Sequence, residues 1–224
     1  MIAIDTKVDE ARALVAESLN QSPHACVTCS FQAEDMVVLD LLRQLRPDIP
    51  VLFLETGYHF AEVYRYRDEM SARYGLNLFN LSARQSVAEQ EAQFGILNQT
   101  APDRCCKLRK VEPLFAELEK YHTWFTGLRR VQSPTRANLQ ASETFALPTG
   151  KVLLKISALA DWSDREVWAY AREHEIALLP LYDAGYTSIG CEPCTALPSD
   201  PENHRSGRWA GRKLECGIHI AGSH

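Results

Sequence analysis

The segment Arg104-Cys105-Cys106-Lys107-Leu108-Arg109-Lys110 sets two cysteines side by side and follows them with three cations. Neighbouring cysteines suit a mutual disulfide poorly, because the bridge favours Cα atoms about 5.5 to 6 Å apart and chain neighbours sit at about 3.8 Å. A shared metal or cluster explains the pair better, with Cys191 and Cys194 of Gly190-Cys191-Glu192-Pro193-Cys194 as partners. The proline stiffens that turn so that both sulfurs can face one way. Four thiolates from two separated segments are what a tetrahedral zinc or a cubane iron-sulfur cluster requires. Unrelated thiols beside a surface turn would explain each pair alone, but the combination favours ligation.

A different chemistry is available near the C-terminus. His204-Arg205-Ser206-Gly207-Arg208-Trp209-Ala210-Gly211-Arg212-Lys213 is strongly basic and runs into Leu214-Glu215-Cys216-Gly217-Ile218-His219. A lone cysteine there, flanked by glycine and cations, is placed to act as a mobile nucleophile; an incidental thiol on a solvated tail is the alternative. A free thiol with a pKa of about 8.5 is only slightly ionised at neutral pH, and neighbouring cations raise the thiolate fraction. Two negative charges about 4 Å apart repel by about 4 kcal/mol at an effective dielectric of about 20, so a thiolate attacking a sulfate or phosphate ester needs that repulsion cancelled. Arg205, Arg208, Lys110 and Arg129 are the groups available to do so.

Strands and helices must bring these segments together. Val8, Ala11, Val15 and Leu19 space the apolar face of an opening helix that begins at a capping-box-like Thr6-Lys7-Val8-Asp9. Residues 25–28 form a β-prone run, followed by Cys29-Ser30-Phe31-Gln32-Ala33-Glu34-Asp35 and a helical pattern up to Pro47, so that the loop presents backbone N–H groups to an anion. Cys26 and Cys29 read as small core residues of that strand. Residues 51–54 make a second strand ending in Glu55-Thr56-Gly57-Tyr58-His59, residues 60–74 a helix and residues 76–81 a third strand.

Further helices are expected over 87–94 and 103–120, the latter bent or interrupted by Pro113. On such a helix Cys106 and Lys110 share a face, which would stand the cation between cluster and substrate. Residues 123–126 read as a strand entering Gly127-Leu128-Arg129-Arg130, whose arginine forks suit phosphate or sulfate, and residues 152–156 as the last clear strand. Ser163-Asp164-Arg165-Glu166 caps a helix whose Trp168 and Tyr170 read as packing. The alternation predicts an α/β fold with a mostly parallel sheet and helices on both faces, ligands lying beyond the strand C-termini. Residues 1–203 are expected to form one nucleotide- and cluster-binding domain and residues 204–224 a mobile C-terminal tail.

With 224 residues the chain can bury one sizeable core. It has no apolar run of about 18 residues and no basic-then-apolar leader, which predicts a cytoplasmic protein without membrane association. Seven cysteines, an odd number, fit a reducing compartment. The net charge of −5 argues against general nucleic-acid affinity.

The motifs Ser30-Phe31-Gln32-Ala33-Glu34-Asp35, Glu55-Thr56-Gly57, Cys105-Cys106 with Lys110, Gly127-Leu128-Arg129-Arg130, Cys191-Glu192-Pro193-Cys194 and Glu215-Cys216-Gly217-Ile218-His219 together resemble the assimilatory adenylyl-sulfate reductases of the phosphoadenylyl-sulfate reductase family. The resemblance runs from about residue 25 to 219, its nucleotide loop being shared with the wider adenine nucleotide alpha hydrolase-like proteins. It implies thioredoxin- or glutaredoxin-dependent reduction of adenosine 5'-phosphosulfate to sulfite and AMP, with Cys216 forming an S-sulfocysteine. It further implies a [4Fe-4S] cluster on Cys105, Cys106, Cys191 and Cys194, without net redox change, and Lys110 between cluster and sulfate. Ser30, Phe31, Gln32, Thr56, Gly57 and Arg129 would line the nucleotide, and Arg205, Arg208 and His219 would close over the phosphosulfate. Glu55 stands where the family often has Asp, and five residues follow His219. No thioredoxin-like domain is appended, so the reductant is expected from outside; a homo-oligomer is among the allowed assemblies.

Three other readings compete. One is a reductase for 3'-phosphoadenylyl sulfate or both nucleotides, with Arg130 or Arg136 taking the 3'-phosphate. Another is a four-cysteine zinc module binding RNA through the basic tail and Trp209, and the last an ATP-dependent adenylating sulfur transferase.

Overall fold

The computed structural model describes residues 2–200, 203–211, 213 and 215–218. These residues build a six-stranded sheet in the order β3-β2-β1-β4-β6-β5, from β1 (Ala25–Thr28), β2 (Pro50–Glu55), β3 (Asn77–Ser82), β4 (Thr123–Phe125), β5 (Ser142–Ala146) and β6 (Val152–Ile156). Neighbouring strands are parallel except β5, which runs antiparallel to β6 at the edge.

Both faces of the sheet are covered, as near-continuous apolar strands demand. Alternation along β1 and β2 sends Val27, Val51 and Phe53 to one core, where α1 (Ile2–Gln21), α2 (Ala33–Leu45) and α3 (Ala61–Tyr74) pack. It sends Cys26 and Leu52 to the other core, with Trp124, Phe145 and Leu153. α4 (Val87–Phe94), the short α5 (Leu97–Thr100), α6 (Pro102–Cys106) and α7 (Glu112–Leu118) follow β3; Leu114, Phe115 and Leu118 of α7 join this second core. α8 (Asp164–Glu173) starts at Ser163, whose side chain and that of Glu166 form a reciprocal cap.

The structure corrects the sequence reading at particular elements. α1 runs through Thr6 instead of starting there, because Ile4 continues the stripe of Val8 and Ala11 onto the core. β5 was not expected: Ser142-Glu143-Thr144-Phe145-Ala146 offers one strongly apolar side chain, Phe145, and pairing with β6 defines the strand. Pro113 neither breaks nor ends its helix. It sits in the first turn of α7, and the preceding residues Lys107–Val111 widen into a π-turn. Proline cannot donate to the carbonyl four residues back and its ring crowds that oxygen, and a wider turn relieves both problems. No helix among the described residues is long and apolar enough to cross a membrane.

Candidate active site

A cavity of about 400 Å³ opens beyond the C-terminal ends of β1, β2 and β4, where the strand order reverses. Such a switch point is the usual ligand position in an open α/β sheet. On its floor, the backbone N–H and Oγ of Ser30 both donate to Asp35 Oδ2 at 2.6 Å. Gln32 Nε2 donates to Ser30 Oγ (2.9 Å), while Gln32 Oε1 accepts from Ile189 N (2.9 Å), tying the loop to the segment before Cys191. Burial first, and then Glu34, push the Asp35 carboxyl up to about 6. Gly127 must be glycine, since a Cβ there would collide with the Asp35 carboxylate and lie 3.0 Å from its backbone nitrogen.

Phe31 is placed differently from the sequence expectation. Its side chain is fully buried in the core, edge-on to Phe53 and Tyr66 at 5.8 and 6.3 Å, and its φ is +61°. A left-handed phenylalanine is costly and persists only where packing over-determines it. Phe31 thus anchors the loop without lining the cavity.

All four paired cysteines line a second, much smaller cavity behind the first, together with Thr56. Cys105, Cys106 and Cys191 are buried and Cys194 is half-buried. Burial, followed by the neighbouring sulfurs, pushes Cys105 up to about 11; burial also raises Cys106 and Cys194. Among the described residues no three His, Cys, Asp or Glu side chains converge as a single metal ion requires.

Thr56 and Gly57 belong to this side and not to the large cavity. Cys191 Sγ lies 3.3 Å from Thr56 Oγ1, and Gly57, at φ +73°, packs against Val87 and the Arg109 guanidinium. Arg109 is buried, donates to the Thr56 carbonyl and bonds Gln85 O and Gln90 Oε1, each at 3.2 Å. The sequence alone assigns Arg109 no role. The wide π-turn leaves Lys107 exposed and buries Arg109.

Lys110 lines both cavities. Burial opposes its charge, but the sulfurs of Cys191, Cys216 and Cys106 hold its pKa well above the lysine range. Trp209 also lines both, 97% hidden beneath Arg208 at 4.3 Å, Lys213 at 5.0 Å and Arg205 at 5.8 Å from the ring centre. Arg208 Nη1 bonds Ser188 Oγ (3.3 Å) and Ile189 O (3.2 Å), and a side chain on Gly190 would strike its guanidinium. Burial lowers both arginines, Arg205 to about 10, which leaves it protonated at neutral pH.

The tail brings Cys216 to the large cavity. Beside it, Glu215 takes a two-pronged bond from Arg136 at 2.9 and 2.8 Å and one from Thr135 Oγ1 at 2.9 Å. His219 lies outside the described residues. Arg129 lines the cavity but pairs with Asp164 at 2.5 Å, while Arg130 is held by Asp161 and the Leu139 carbonyl.

Two cavity residues escaped the sequence reading. His59 is pushed down to about 4, first by burial, and its neutral ring bonds Leu54 O at 2.7 Å. Trp168, read as packing, is 42% exposed on the cavity rim. Only tertiary placement identifies either.

A family model described as the phosphoadenosine phosphosulfate reductase domain matches residues 24–197. The chain belongs to this family. Among curated relatives of the reductase, an adenosine 5'-phosphosulfate reductase of Rhodococcus opacus is 48% identical over 190 residues, covering 84% of this chain and 76% of the relative. One of Mycobacterium tuberculosis is 43% identical over 203 residues, covering 87% and 78%. Among solved structures, phosphoadenylyl-sulfate reductase from Candida auris superposes with a TM-score of 0.71 at 24% identity, over 86% of this chain and 96% of that one. FMN adenylyltransferase from Candida glabrata reaches 0.69 at 14% identity, over 88% and 67%, a likeness of fold alone. This member of the reductase family is accordingly an enzyme, an oxidoreductase.

Proposed function

We propose that the chain reduces adenosine 5'-phosphosulfate to sulfite and AMP in assimilatory sulfate reduction, with Cys216 as nucleophile and an external dithiol such as thioredoxin or a glutaredoxin-like protein as reductant. The observation that carries this reading is Lys110, which lines at once the cavity reached by Cys216 and the cavity lined by the four cysteines.

The loop of Ser30 and Gln32 and the Gly127 turn hold the nucleotide, with backbone amides for its anionic end. Arg205, Arg208 and Lys110 offset the charge of the sulfate group as the Cys216 thiolate approaches. The thiolate attacks sulfur, the bond from sulfur to the bridging oxygen breaks, and AMP leaves with that electron pair. S-sulfocysteine remains on Cys216. A dithiol thiolate then attacks Cys216 Sγ, sulfite leaves with the bonding pair, and the second thiol resolves the mixed disulfide, so that the dithiol is oxidised and Cys216 restored.

Cys105, Cys106, Cys191 and Cys194 fit a [4Fe-4S] cluster. All four line one small buried cavity, and four thiolates are the ligand count that a cubane takes. When bound, the cluster supplies a fixed charge near the sulfate without net redox change. In this reading residues 1–203 are the binding body and residues 204–224 the catalytic tail, working in a reducing cytoplasm. Two observations weigh against two of the alternatives: Trp209 lies under three cations instead of offering a face to RNA, and Arg130 and Arg136 are committed to Asp161 and Glu215.

The test is intact mass spectrometry after incubation with adenosine 5'-phosphosulfate and no reductant. One SO3 adduct on the wild type, none on Cys216→Ser, and its removal by reduced thioredoxin are the expected results. An unmodified wild type carrying its full complement of iron would overturn the covalent mechanism.

A further inference from the structure

Lys213 lies three residues before Cys216, yet its ammonium reaches the other cavity's wall. Nζ is 2.8 Å from Asp103 Oδ1 and 3.4 Å from Cys106 Sγ, and it stands over the Trp209 ring, 5.0 Å from its centre. The Lys213 side chain is 13% exposed while that of Asp103 is 91% exposed. A carboxylate so open to water contributes little to holding a lysine. The sheltered contacts are those to the indole and to sulfur.

We propose that Lys213 is a positioning residue that couples the tail to the four-cysteine site by donating to Cys106 Sγ when the tail is folded down. The inference rests on the proposed cluster ligation. A metal-bound thiolate accepts such a bond far better than a neutral thiol, because the contact becomes charge-assisted. A loaded site therefore holds the tail down more firmly than an unloaded one. Coupling between two sites is reciprocal, so a closed tail must also perturb the group that the cysteines hold. N–H contacts to cluster sulfurs are a known lever on cluster properties.

The experiment uses anaerobic holoenzyme and three variants. Lys213→Met keeps an unbranched apolar side chain and loses the donor, Lys213→Arg restores a donor, and Asp103→Asn removes only the exposed ion pair. Iron–thiolate stretching bands in resonance Raman spectra report the cluster, and the rate of Cys216 alkylation by iodoacetamide, taken from peptide masses, reports the tail. Lys213→Met is expected to shift the bands and speed alkylation severalfold, with Lys213→Arg returning both toward wild type and Asp103→Asn changing neither. Wild-type bands and wild-type alkylation in Lys213→Met would overturn the coupling while leaving the cluster intact. A wild type without any iron chromophore would instead strike the cluster reading itself.

Discussion

Asp35 accepts both the amide and the hydroxyl of Ser30, and burial pushes its carboxyl to about 6 from an ordinary carboxylate value. A raised folded-state pKa means that the folded protein binds the proton more tightly than the unfolded chain. The stabilisation from that proton is complete below the unfolded value and is lost as the pH rises through about 6. Asp35→Asn does not titrate. The midpoint of thermal unfolding of the wild type, measured against Asp35→Asn, is therefore expected to fall between about pH 4 and pH 6 and then level off. A shift of about two pKa units corresponds to about 3 kcal/mol. Parallel curves for the two proteins would show that Asp35 titrates normally. The strand-loop-helix junction at Ser30 was legible from residue types alone, but the raised pKa of Asp35 was not, since it follows from burial beside the Gly127 turn.

At the scale of elements, local patterns were readable where local chemistry decides. The reciprocal cap at Ser163 and Glu166, the apolar runs of β1 and β2, and the helix over 87–94 all depend on neighbours in sequence. Where a distant partner decides, the pattern was silent: β5 exists through β6, and Thr56 faces the cysteines because Arg109 draws its turn across. The tail is a further case. Burial alone would raise the Glu215 pKa, but Arg136 pulls it below the carboxylate range, a sign that the pair is tight in the folded tail. Glu215→Ala should slow formation of the Cys216 adduct by about tenfold, the equivalent of about 1.4 kcal/mol. AMP affinity should change little, because Glu215 bonds the tail's clasp and not the Ser30 loop. Single-turnover mass spectrometry beside equilibrium binding separates the two effects, and an equal loss in both would show that Arg136 serves the nucleotide directly.

For the whole molecule, the reversal of strand order between β2-β1 and β4-β6 opens one crevice, and everything chemical gathers at that end of the sheet. Bound AMP should slow amide exchange at residues 30–33 and 127–128 and leave His24 and His122, at the opposite strand ends, unchanged; uniform protection would place the ligand elsewhere. The parts of this end come from far apart in the chain. The sheet is complete at Ile156, but the second cysteine pair follows at Cys191 and Cys194, and the proposed nucleophile only at Cys216. Domains fold from the N-terminus as the ribosome delivers them. A nascent chain can thus assemble its nucleotide crevice well before it owns a reactive sulfur, and a truncated product would bind without turning over. Vectorial synthesis delivers the proposed nucleophile late, after Lys110, Arg205 and Arg208 are already in place.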